Sequence, residues 1–251
     1  MTLDFTNSFA EQLNVLIDKA LESERQSDKP RTYLGGSRLG VACQRALQFE
    51  YLNQPKDEGQ DFSGQLLRIF AAGHVFEDLA INWLKKAGLE LHTRKPDGYP
   101  FGFYVAGGRI RGHVDGIITS APAELGLSFP MIWECKSLNS KSWNETASTG
   151  LAKTKPIYAA QVATYQAYME GSIEGICRNP ALFTAINKDT AELYHELIPF
   201  NGQLAQNMSD KAVRVITACE AGEWLPRISR DRNHYECKLC PWQERCWGGA
   251  A

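Results

Sequence analysis

The amino-acid sequence predicts an α/β (α+β) protein in which a central run of strands lies between helices. Three observations carry this. Apolar residues recur at helical spacing through residues 1–88, residues 89–200 turn to period-two, glycine-punctuated text, and residues 201–251 return to a helical pattern before closing on a cysteine cluster. The expected organisation is one domain over 1–251, with an N-terminal helical part (1–88), a core (89–200) and a C-terminal helix with cysteine cluster (201–251).

Residues 3–23 place Phe9, Leu13, Leu16, Ile17 and Leu21 on one side with charges between them, which predicts an amphipathic packing helix. After a polar stretch, SRLGVACQRALQFEYL predicts a helix capped by Ser37, with Cys43 near its start and Leu47 and Tyr51 along it. A break over 53–63 precedes a longer helix, Gly64 to Ala87, that carries Leu67, Phe70, Val75, Leu79 and Trp83 on one side and contains Gly73, His74 and Glu77.

The text RKPDGYPFGFYVAGGRIRGHVDGIIT predicts a β-meander with tight turns. A Pro-rich connection over 120–130 leads into PMIWECKSLN, a short buried strand. A polar connecting segment, then a helix over 157–170, a strand pair over 181–198 and a helix over 203–221 complete the order.

With 251 residues and 43% hydrophobic content the chain can bury a full core. Its formal charge is -2, from 27 basic and 29 acidic residues, so any nucleic-acid-binding surface must be local. The N-terminal MTLDFTNSFAEQLNVLIDKAL carries Asp4 and Glu11 and lacks the apolar core of a secretory signal. No later stretch approaches the ~18 apolar residues of a membrane span, so no membrane partner is expected. Seven unevenly spread cysteines argue against a disulfide framework and for metal or cluster ligation in a reducing, cytoplasmic setting.

Alternation along WECK turns Glu134 and Lys136 to one face and Trp133 and Cys135 to the other. In GRIRGHVDG the same alternation places Asp115 with Arg111 and His113. If the two strands are neighbours, Asp115, Glu134 and the carbonyl of Cys135 offer hard oxygens to Mg²⁺ or Mn²⁺, with Lys136 beside the bound water. A metal-activated water and a nearby cation are what phosphodiester hydrolysis requires.

GHVDG followed by WECK resembles the second and third motifs of the PD-(D/E)XK superfamily, in its RecB-like branch with RecB and AddB nuclease domains and the CRISPR-associated RecB-like exonucleases. The resemblance runs from about residue 37 to 247. It implies a restriction-endonuclease-like core, a central mixed sheet flanked by helices with the N-terminal helices tied to the C-terminal cysteines. QVATYQAY is similar to the branch's Gln-x-x-x-Tyr motif, which implies active-site roles for Gln161 and Tyr165. AAGHVFEDL is similar to an upstream helical motif and implies that Glu77 or His74 supplies a further metal ligand.

The tail YECKLCPWQERCW offers Cys237, Cys240 and Cys246. In the cluster-bearing RecB-like exonucleases an upstream cysteine joins three such residues, and Cys43 matches its place, which implies a [4Fe–4S] cluster. A zinc site, with His234 as an alternative fourth ligand, is the other reading. Cys135, Cys177 and Cys219 read as buried free thiols.

The segment between the ECK strand and the Gln161 helix carries Lys141, Trp143, Lys153 and Lys155, a mixture suited to the backbone and bases of single-stranded DNA. Arg45, Arg109 and Arg111 are further phosphate candidates. The resemblance implies a DNA exonuclease acting at ends, in repair, recombination or CRISPR adaptation with the partner proteins of those pathways. A structure-specific endonuclease, a cluster-bearing DNA-binding protein without turnover, and an RNA target are the alternatives.

Overall fold

The computed structural model describes residues 5–249. Met1 to Asp4, and with them the expected start of the first helix at residue 3, lie outside the described residues. The elements in order are α1 (Phe5–Gln26), β1 (Leu34–Gly35), α2 (Gln44–Tyr51), α3 (Gly64–Lys86), β2 (Glu90–His92), β3 (Gly102–Val105), β4 (Ile110–His113), β5 (Gly116–Ser120) and β6 (Met131–Leu138). Then follow α4 (Ser140–Thr149), α5 (Leu151–Thr154), α6 (Pro156–Met169), β7 (Ala181–Asn187), β8 (Leu193–Ile198), α7 (Gly202–Glu220), α8 (Tyr235–Lys238) and α9 (Gln243–Trp247).

The fold is the predicted α/β arrangement, with mixed sheets flanked by helices. A five-stranded sheet has the order β2-β5-β6-β7-β8, and only β6 and β7 run parallel in it. A second sheet of three strands has the order β1-β4-β3, with β1 parallel to β4. The expected meander is therefore split. β2 pairs with β5, while the β3–β4 hairpin between them belongs to the smaller sheet. The chain changes sheets at Val114 and Asp115, which are in neither strand.

Period-two alternation in β6 builds a core on each side of the large sheet. Ile132 and Leu138 join Phe183, Ala185, Val162 and Val215 on the side covered by α6 and α7. Trp133 and Cys135 join Leu182, Ile186 and Ala80 on the side covered by α3. Helix α6 starts with Pro156 in its first turn, where the missing N–H costs nothing. It is buried on nearly every side, and its alanines let sheet and helices approach it closely.

Three further expectations are corrected. Ser37 does not cap α2; it lies in a 3-10 turn, Gly36–Arg38, and Cys43 is the N-cap residue without a side-chain hydrogen bond. The polar segment after β6 is helical. Asn139 caps α4 by accepting from the Ser142 N–H at 2.9 Å, and Gly150, at φ 89°, ends it. Helix α1 does not bury its apolar stripe: Phe9, Leu13, Leu16 and Ile17 are exposed. Its contact with α3 is made by a polar edge, through an Asp18–Arg68 ion pair and the Glu22 carboxylate, which accepts from the Gly64 N–H at 2.8 Å.

Candidate active site

β5 stops before β6 does. Their pairing runs from Ile118↔Met131 to Gly116↔Trp133, so beyond Trp133 the β5 side of β6 has no strand partner. There the Cys135 N–H donates to Asp115 Oδ2 at 2.8 Å, a side chain taking the place of the missing ladder bond. This corrects the expected setting of Asp115, which shares no strand face with Arg111 and His113. The residue is nevertheless brought beside Glu134.

Glu134 is fully buried on the α6 face of β6. Its Oε1 accepts from Gln161 Nε2 at 2.5 Å and forms a short ion pair with Lys136 Nζ. Its Oε2 is buried without a hydrogen-bond partner among the described residues. Lys136 Nζ also donates to the Cys135 carbonyl at 3.0 Å and lies 3.9 Å from Asp115 Oδ2. Burial alone would lower the Lys136 pKa, but Glu134 and Asp115 outweigh it and raise it, so the ammonium stays charged. For Glu134, burial and then Asp115 push the carboxyl up, against the pull of Lys136.

The two candidates on α3 differ in exposure. His74 is 82% exposed with its Nδ1 3.9 Å from Glu77 Oε2, whereas the Glu77 carboxyl is held above its usual range by partial burial and then by Asp115. Glu77 thus shares a field with Asp115, and His74 lies on its solvent side. Of the pair on α6, Gln161 touches Glu134, and Tyr165 lies deeper. Tyr165 packs edge-on against Phe103 at 5.2 Å, and Gly36 leaves room for it: a Cβ there would stand 2.8 Å from the ring. Tyr158, which sequence reasoning passed over, puts its ring 5.5 Å from Lys136 Nζ. It stands one helical turn before Gln161, on the same face, and that spacing was the available signal.

An unpartnered buried carboxylate oxygen near two further carboxyl groups and a backbone carbonyl is, in its chemistry, a donor set of the kind a hard divalent cation takes. Among the described residues no three His, Cys, Asp or Glu side chains stand at metal-holding spacing.

Away from this site, Cys237 and Cys240 feel Cys43 and Cys246, although among the described residues no three of these thiols stand at metal-holding spacing. Burial raises Cys237 and Cys240, the latter to about 11, and each is raised further by Cys43 and Cys246. All seven cysteines are free, and Cys177 and Cys219 are only half-buried, a correction to the expected buried thiols. Phe49, Trp224, Trp242 and Trp247 pack with Cys240 and Cys246 in one small apolar cluster. Hydrogen bonds close this region across the chain: Trp242 Nε1 donates to the Gln54 carbonyl at 2.9 Å, and Asp57 accepts from the N–H groups of Glu244 and Arg245. These bonds join the loop between α2 and α3 to the tail without using the cysteines expected to tie them. His234 Nδ1 is buried without a partner among the described residues.

The candidate DNA contacts fare unequally. Lys141 and Lys153 are exposed, and Lys155 donates to Ser142 Oγ at 2.5 Å. Trp143 is not a free indole: it is half-buried and its N–H donates to the Ala185 carbonyl at 3.0 Å. Arg45 is buried and donates to the Leu225 carbonyl at 2.6 Å, and Arg109 is paired with Glu220 at 2.6 Å, which corrects both as phosphate candidates.

No protein-family model matches the chain, and a search of curated proteins finds no match. Solved structures do resemble it. An alkaline exonuclease, LHK-Exo, from Laribacter hongkongensis superposes with a TM-score of 0.51 at 15% identity, over 77% of this chain and 90% of that one. The same exonuclease in complex with dAMP gives 0.50 at 16% identity, over 76% and 89%. A protein designated SSO0001 gives 0.46 at 17% identity, over 92% and 93%. At these identities the likeness to the exonuclease concerns the fold alone, a mixed α/β core of the class the sequence predicts.

Proposed function

We propose that this chain, built on a fold it shares with an alkaline exonuclease, is a metal-dependent DNA nuclease of the PD-(D/E)XK type that degrades DNA from its ends. The observation that carries the reading is the meeting of Asp115, Glu134 and Lys136 where β5 leaves β6, with Gln161 fixing Glu134.

Glu134 through Oε2, Asp115, Glu77 and the Cys135 carbonyl would hold Mg²⁺ or Mn²⁺, which when bound supplies Lewis acidity and lowers the pKa of water. The remaining work belongs to the chain. Gln161 and Lys136 occupy Glu134 Oε1 and so leave Oε2 as its free oxygen among the described residues. Lys136, charged and locked between Glu134 and the Cys135 carbonyl, stabilises the negative charge that grows on the phosphate oxygens. Tyr158 and Tyr165 keep the α6 side of the site apolar, which strengthens those interactions. His74 is left outside this set.

The four cysteines would hold a [4Fe–4S] cluster, a reading supported by the influence of Cys43 and Cys246 on Cys237 and Cys240 and by the aromatic cluster that packs on Cys240 and Cys246; zinc is the alternative occupant. Its role is to close the cysteine-bearing ends of the chain around the nuclease core. Among the described residues no helix is long and apolar enough to cross a membrane.

The test is an anaerobic preparation assayed for iron and sulfide and then for Mn²⁺-dependent digestion of end-labelled DNA. Release of mononucleotides from linear single strands, with circular strands intact, is the expected result. Cutting of the circles establishes the endonuclease alternative, and no cleavage of DNA by a metal-loaded protein overturns the nuclease reading.

A further inference from the structure

The small sheet turns one face inward, through Leu34, Phe103 and Ile110, and leaves the other to solvent. On the open face Tyr104 pairs across the hairpin with Arg111, Gly102 with His113, and Gly35 of β1 lies beside Arg111. The Arg111 guanidinium sits between two rings, its Cζ 4.9 Å from the centroid of Tyr33 and 5.1 Å from that of Tyr104. Arg31 approaches Tyr33 from farther off, at 6.0 Å. Arg111 Nε donates to the Gly108 carbonyl at 2.8 Å, which fixes the plane and leaves the terminal nitrogens as donors. The glycine at 102 has a use here: a Cβ would stand 2.5 Å from the His113 ring, so its absence lets the imidazole lie across the strand.

Two features mark this face as more than a stabilised sheet. Among the described residues neither Arg31 nor Arg111 has an acidic partner, whereas Arg109 and Arg38 nearby are paired with Glu220 and Glu50. Tyr104 is 64% exposed, so the ring face away from Arg111 is open. Unpaired guanidinium groups attract phosphate, and an open tyrosine face attracts an unstacked base. The face also adjoins the candidate active site along the chain: Asp115 is four positions after Arg111, an extended reach of at most ~14 Å.

We infer that the Tyr33–Arg111–Tyr104 face binds a single-stranded nucleic acid, with Arg111 and Arg31 on its phosphates and Tyr104 under a base, and delivers it to the Asp115–Glu134 cleft. The inference rests on the nuclease reading for the destination of the strand, though not for its binding. Charge complementarity selects a polyanion, and the open aromatic face selects unpaired bases over duplex.

The test is fluorescence anisotropy of a labelled single-stranded oligonucleotide, long enough to span both sites, in chelator without divalent metal. Tyr104→Ala is expected to weaken binding about tenfold, and Tyr104→Phe and Tyr104→Trp, which keep an aromatic face, to retain it. Arg111→Gln is expected to flatten the logarithmic salt dependence by about 0.7, one phosphate's worth on a single strand. Unchanged affinity in Tyr104→Ala, equal losses in Tyr104→Ala and both aromatic variants, an unchanged salt slope in Arg111→Gln, or no binding by the wild-type protein overturns the inference. Failure of the nuclease reading looks different: the strand binds and depends on Tyr104, yet Mn²⁺ brings no cleavage.

Discussion

Gln161 Nε2 and Glu134 Oε1 stand 2.5 Å apart, and Lys136 shares the same oxygen. One oxygen of a buried carboxylate is thus doubly held while the other has no partner among the described residues. A carboxylate so divided has its orientation fixed before any cation or substrate arrives.

Gln161→Ala removes a neutral donor and leaves every charge in place. It should weaken Mn²⁺ binding and turnover together by about 10–100-fold, the range for groups that orient metal ligands. Titration calorimetry alongside steady-state digestion checks this, and unchanged metal affinity would detach Gln161 from the site.

Lys136 bonds to Glu134 and to the Cys135 carbonyl but offers no ligand atom of its own to a cation. Lys136→Ala should lower kcat by about 10²–10³-fold, as loss of a group that stabilises transition-state charge does. Mn²⁺ binding should persist in the variant. Loss of metal binding would contradict the assignment.

His74 and Glu77 lie on the same helix with opposite fates. His74→Ala should leave stability within about 0.5 kcal/mol and digestion unaltered, as for an exposed side chain without a buried role. Glu77→Gln should weaken Mn²⁺ binding, because it removes a carboxylate from the field of Asp115. The reverse pattern in the two variants would return the ligand role to His74.

Cys43→Ala should lose iron and solubility together, because binding energy at a site of this kind is folding energy. Iron and sulfide content of the soluble fraction gives the answer. A soluble, iron-replete variant would remove Cys43 from the ligand set.

The sequence made β6 legible because an apolar run that carries Glu134 and Lys136 at period two has few other uses. It also brought Asp115 to the same place, though by the wrong path. Alternation reads the same through a strand as through a strand broken at Val114 and Asp115, so the change of sheet left no local mark. Helix α4 was hidden by polarity, although its signals were present in Asn139 and Gly150. The exposed apolar stripe of α1 shows the converse: periodicity reports that a helix is amphipathic, not that a partner covers it. Tyr158, and the bonds from Gln54 and Asp57 to the tail, depend on long-range contacts that spacing cannot report.

The bond from Trp242 to Gln54 spans 188 residues of chain. At a synthesis rate of about 5–20 residues per second, the segment around Gln54 waits roughly 10–40 s on the ribosome for the residues that complete it. Throughout that interval the aromatic cluster around Phe49 lacks Trp224 and Trp242. Closure of that cluster is therefore a late event in the life of the nascent chain, and until then Phe49 has neither indole to pack against.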